Sequence, residues 1–108
     1  MINGINRTMK NYSLILPDHH MQRMHVKGTD IQVYLLGMNY SDAKRLIKNA
    51  VILNRDGVRL QMIYGFDKND KFKDIINNYH NGRIMKKEIG LSNPGVTYIT
   101  MKSAYERV

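Results

Sequence analysis

The sequence predicts an α+β fold in which N-terminal helices pack on an antiparallel sheet of about four strands, built from two hairpins with an intervening helix. Three observations carry this expectation. Asp56-Gly57 sits between two β-rich runs, Phe72, Ile75, Ile76 and Tyr79 recur at helical spacing, and residues 83–89 and 96–102 form a second pair of β-rich runs. Helices set apart from an antiparallel sheet define the α+β class.

Residues 1–11 mix Gly4, several asparagines, Arg7 and Lys10, and read as a flexible arm ahead of one domain spanning 12–108. After the short apolar stretch 12–16, Pro17 supplies a φ suited to a helix start. A first helix is expected from Asp18 to about Lys27, stopped by Gly28. Its neighbour, from Thr29 or Asp30, admits two readings. Ile31, Tyr34, Leu35 and Met38 fit a helix, whereas Ile31, Val33 and Leu35 alternate as in a buried strand. Ser41 or Asp42 caps a third piece, 43–49, with Ala43, Leu46 and Ile47 on its apolar face. Asp-Gly favours a type I′ turn, so 51–55 and 58–66 are expected to pair, with Val58, Leu60, Met62 and Tyr64 turned inward. The polar turn 67–70 precedes the amphipathic helix, which Asn81-Gly82 ends. The last hairpin turns through Gly90, Asn93, Pro94 and Gly95.

A chain of 108 residues, 43% hydrophobic and 24% charged, has the length and composition of one globular domain. The absence of cysteine excludes disulfides, thiolate metal sites and a cysteine nucleophile. No signal peptide is visible, and the longest apolar run, near Tyr34, is far too short to span a bilayer, so a cytoplasmic location is expected. Seventeen lysines and arginines against nine acids give a net charge of +8. Such a field draws polyanions, which points to RNA or another nucleic acid, with an acidic antitoxin, immunity or host defence protein as the other kind of partner. Abundant Asn, Ile and Lys fit AT-rich coding, as in a phage or a low-GC bacterium.

Several motifs fail on their chemistry. Asp18-His19-His20 spells a metal-ligand triplet, but the further aspartate motifs of the phosphoesterases that use it are missing. Pro17-Asp18 with Asp42-Ala43-Lys44 mimics a nuclease signature that needs its second acid and lysine on a strand, whereas Asp42 reads as a helix cap. Asp67, Asn69 and Asp70 lack the glycine and late glutamate of a calcium loop. No phosphate-binding Gly-rich loop is present. Neither a metal nor a cofactor is therefore expected.

The first helix remains. At about 100° per residue, Met21 and Met24 form a buried stripe, while His19 and Arg23, at i and i+4, share another face. An imidazole beside a guanidinium can move a proton and hold a phosphate without a metal. A polar surface with incidental histidines is the competing reading. The His19-x-x-x-Arg23-Met24 spacing resembles the His-x-x-x-Arg-Met helix of the barnase/EndoU/colicin/RelE superfamily, metal-independent ribonucleases that include toxins and phage-encoded members. The resemblance covers roughly 13–102 in element order and three residues in motif. It implies attack of an RNA 2′-hydroxyl on the adjacent phosphate, with His19 as general acid or base and His20 as its understudy. Arg23, with Lys86 or Lys87, would stabilise the phosphorane. A matching strand histidine is absent.

A nucleic-acid surface is expected from Arg55 and Arg59 beside the tight turn and Arg83, Lys86 and Lys87 on the next arm. Tyr98, Thr100 and Lys102 on the last strand would add a base or phosphate contact. His80 reads as a helix-end cation, the tyrosines 34, 40, 64 and 79 as core, and the eight methionines mostly as core filler. Three functions thus compete: a metal-independent endoribonuclease, a non-catalytic nucleic-acid-binding protein, and a small phage inhibitor of a host protein.

Overall fold

A computed structural model describes residues 17–65 and 70–105. The arm 1–11, the stretch 12–16 and most of the turn 67–70 lie outside the described residues. The fold is α+β, with three helices and one five-stranded mixed sheet among the described residues. In chain order these are α1 (Asp18–Met21), β1 (Met24–Lys27), β2 (Asp30–Tyr34), α2 (Tyr40–Leu53), β3 (Arg59–Ile63), α3 (Lys71–Asn78), β4 (Ile84–Ile89) and β5 (Val96–Met101). The sheet order is β1-β2-β3-β5-β4, antiparallel throughout except for the parallel pair β2-β3. None of the described helices is long and apolar enough to cross a membrane.

The expected first helix is only four residues long. Met24 pairs with Val33, and the Arg23 carbonyl accepts a bond from the Tyr34 amide, so the chain has already entered the sheet where a helix was expected to continue. Gly28 and Thr29 join β1 to β2 with a positive φ at Gly28 alone, which is the pattern of a type II′ hairpin. Met21, expected in a buried stripe, is exposed. The strand reading of residues 30–34 is the one realised, and Leu35 follows it into the core.

The third piece is longer than expected. Asn39 caps α2, its side chain accepting from the Asp42 amide, and Ala43, Leu46, Ile47, Ala50 and Val51 bury one continuous stripe. The helix thereby absorbs residues 51–53, which the sequence assigned to a hairpin arm. Asp56-Gly57 is consequently a helix-to-strand connection, not a type I′ turn, and only Gly57 has positive φ there. Because β2 and β3 run parallel, a crossover such as α2 must join them.

β3, α3 and the β4-β5 hairpin lie where the periodicity put them. Val58, Leu60, Met62 and Tyr64 are buried, and the Tyr64 hydroxyl meets Thr97 Oγ1 at 2.8 Å, so neither buried hydroxyl is orphaned. Ile75 and Ile76 of α3 join this core, with Phe72 and Tyr79 against it. Gly95 seats the β4-β5 loop on the end of β3. Its carbonyl accepts from the amides of Tyr64 and Gly65, and a Cβ there would meet the Gly65 Cα at 2.7 Å.

Candidate functional site

α1 docks on α2 through three hydrogen bonds among four polar side chains. His19 Nε2 lies 2.8 Å from Asp42 Oδ2, and His20 Nε2 lies 2.9 Å from Asp42 Oδ1. Asp42 and Asn49 sit two turns apart on α2, and Asn49 Nδ2 reaches His20 Nδ1 at 3.2 Å. With Asn49 donating to Nδ1, the His20 proton sits on Nε2 and points at Asp42. Burial pushes the Asp42 carboxyl up, but the hydrogen bonds from His20 and His19 help to outweigh it and hold the group below its ordinary value. His20 is fully buried, whereas the His19 side chain is 54% exposed. The ligating atoms of His19, His20 and Asp42 all lie within 4.8 Å of one another.

Arg45, one turn beyond Asp42, brings a guanidinium to 3.9 Å from Asp42 Oδ1. Its side chain also lines a groove of about 480 Å³ between α2 and α3. Lys44, Arg45, Lys48 and Lys71 bring four cations to this groove against the single carboxylate of Asp74, over an apolar floor that includes Ile47 and Ile75. None of these cations is among those expected from the sequence to contact nucleic acid, and Lys44 is named there only within the Asp42-Ala43-Lys44 signature. The legible signal was Lys44 and Lys48, one turn apart on a helix whose opposite stripe is apolar.

Arg23 is not beside His19. Its guanidinium donates to the carbonyls of Tyr34 and Leu36, at 3.1 and 2.7 Å, and ties the end of β2 to the α1-β1 turn. The expected helical pairing required the helix to continue past Met21. Arg83 is similarly engaged, donating to the carbonyls of Val51, Ile52 and Asn54 and to Asp56. Lys87 points to the helical side of the sheet and donates to the carbonyls of Asn77 and Tyr79, and burial pushes its ammonium pKa down. Lys87 thus fills the helix-end role expected of His80, which is exposed just past α3. Lys86 faces the opposite side and pairs with Glu88 at 3.3 Å, so Arg83, Lys86 and Lys87 do not form one cluster. Arg55 is exposed in the α2-β3 connection, and Lys102 follows β5.

The sheet face away from α2 and α3 carries a polar network. Register places Asp30, Gln32 and Tyr34 opposite Arg59, Gln61 and Ile63, with Tyr98 and Thr100 alongside. Arg59 donates twice to Asp30 Oδ2, at 3.0 and 2.6 Å, and Gln61 donates to the same oxygen at 2.7 Å. Gln32 bridges Gln61 and the Tyr34 hydroxyl, and Arg59 lies 4.5 Å from the Tyr98 ring centre. Tyr34 therefore serves this face and not the core, and Tyr40 is exposed, while Tyr64 and Tyr79 pack as expected. Lys27, Arg59 and Lys86 are balanced here by Asp30 and Glu88, so the helical groove is the more cationic of the two surfaces.

Burial raises the Asp30 pKa, but the bonds from Arg59 and Gln61 and the Arg59 charge win, leaving it lowered. A carboxyl depressed in the native state contributes stability above its unfolded pKa, about 3.9, and loses it as pH falls through the native value. Wild type should therefore exceed Asp30→Asn in urea midpoint at pH 7, with the gap closing below about pH 4. A gap that stays constant down to pH 2 would contradict this assignment.

No family model, curated protein or solved structure matches the chain.

Proposed function

We propose that the protein binds the sugar-phosphate backbone of RNA along the α2-α3 groove. The observation that carries this reading is the concentration of Lys44, Arg45, Lys48 and Lys71 around one concave surface. Phosphates meeting these cations release condensed counterions, which makes binding favourable and steeply dependent on salt. With about four phosphate contacts on a single strand, log K should fall against log salt with a slope near −3. Fluorescence anisotropy of a labelled oligouridine measures this directly. An absence of binding at low salt would remove the proposal.

A second reading, cleavage of the bound RNA without a metal, is favoured by the His19–Asp42 bond. In it, Asp42 holds the Nε2 proton and leaves the Nδ1 lone pair of exposed His19 to take the proton of a 2′-hydroxyl. The 2′-oxygen then bonds to phosphorus, the bond to the 5′-oxygen breaks, and water protonates the leaving group. Arg45 takes the phosphate-stabilising role first assigned to Arg23. His20 acts only through Asp42, because a fully buried ring cannot touch RNA. Cleavage that survives EDTA and disappears in His19→Ala supports this reading, whereas an inert wild type leaves a binding protein.

A further inference from the structure

We propose that His19, His20 and Asp42 form a site for one divalent first-row transition-metal ion, with zinc as the reference case. Two imidazole nitrogens and a carboxylate are the donor types that zinc takes from proteins, commonly in sets of three with a fourth position open to water. Their ligating atoms already converge within 4.8 Å. Bonds of about 2.0–2.2 Å to a tetrahedral ion place ligating atoms about 3.4 Å apart, so whichever Asp42 oxygen ligates must move roughly half an ångström away from the imidazole it now touches, at 2.8 or 2.9 Å, while any wider pair, up to 4.8 Å, closes. His19 can supply that movement, since it is exposed on a four-residue helix.

The surroundings provide the supporting shell. Metal binding through His20 Nε2 moves its ring proton to Nδ1, which faces the Asn49 carboxamide. A half-turn of that carboxamide presents Oδ1 as the acceptor, the kind of partner that fixes a ligating histidine. The Asp42 backbone is already pinned by the Asn39 cap. Arg45 opposes a cation, but it is 3.9 Å from Asp42 with a side chain 56% exposed, and can swing toward solvent. The exposure of His19 supplies the entry path and the open fourth position.

Occupancy would have a consequence that rests on the cleavage reading: an ion bound at His19 Nε2 moves the ring proton to Nδ1 and leaves no lone pair there to take the proton of a 2′-hydroxyl. Zinc would then inhibit cleavage, and EDTA would restore it.

The binding claim is tested without RNA, by calorimetric titration of the full chain with zinc at pH 7.5 and by the visible spectrum of the cobalt complex. One equivalent should bind, with the absorption bands of a four-coordinate ion. His19→Ala and Asp42→Asn, each checked for native circular dichroism, should each weaken binding by more than about 100-fold, since losing even a supporting partner costs about 10–100-fold. His25→Ala, outside the cluster, should bind as wild type does. No heat or spectrum at equimolar metal, or binding unchanged in both cluster variants, overturns the proposal. A protein that binds zinc but cleaves nothing even in EDTA refutes only the cleavage reading.

Discussion

Arg83→Ala is expected to destabilise the protein by about 2–4 kcal/mol, read as a lowered urea midpoint with an unchanged slope. The last turn of α2 carries no basic residue, and of the helix carbonyls its cap, Asn54, donates only to that of Ala50, so the carbonyls beyond it turn to a remote group. Arg83, just before β4, reaches back to the carbonyls of Val51, Ile52 and Asn54 and to the Asp56 carboxylate. Its positive charge also opposes the negative end of the helix dipole. Truncation leaves several partly buried acceptors without a donor, and that desolvation cost, not the lost attraction alone, makes the effect large. Small domains hold only about 5–15 kcal/mol in total. Arg83→Lys should fall between the two, because an ammonium cannot span acceptors as a planar guanidinium does. An unfolding free energy for Arg83→Ala within about 0.5 kcal/mol of wild type would show that water replaces the arginine without cost.

The second large effect is on binding. Replacing Lys44, Lys48 and Lys71 by glutamine removes three groove cations while leaving the buried stripe of α2 intact. Counterion release contributes about 0.7 log unit per single-strand contact at 0.1 M salt, so the triple variant should lose about 100-fold in RNA affinity and about 2 in salt slope. The control is Lys27→Gln with Lys86→Gln, which removes two cations from the opposite sheet face and should change affinity little. Equal losses per charge removed would mean that net charge, not the groove, governs binding.

Much of the fold was legible where one periodicity ran uninterrupted. The alternation through β3, the i, i+3, i+4, i+7 pattern of α3 and the glycine-bounded β4-β5 pair each bury one face against the same core. Two places misled for physical reasons. Val51-Ile52-Leu53 favours a strand locally, yet burial beside Leu46 and Ile47 keeps it helical, an instance of packing overriding propensity. The edge strand β1 is four residues long, and its turn signal, Gly28-Thr29, also reads as a helix stop.

The candidate site was legible only in part. His19 and His20 stood out by type, but their partner Asp42 lies more than twenty positions away and had been read only as a cap. Arg23, Arg83 and Lys87 look like surface cations in sequence, because nothing local reveals that distant backbone carbonyls will take them. The groove cations were hidden for the complementary reason: Lys71 joins Lys44 and Lys48 only once α3 packs beside α2.

Backbone amide chemical-shift mapping during titration with an oligouridine locates the RNA most directly. Residues of the groove, Lys44, Arg45, Lys48 and Lys71, should shift together and saturate at one stoichiometry, with Gln32, Gln61 and Tyr98 unmoved. Shifts confined to those sheet residues, or none at all, would contradict the groove as the RNA-binding surface.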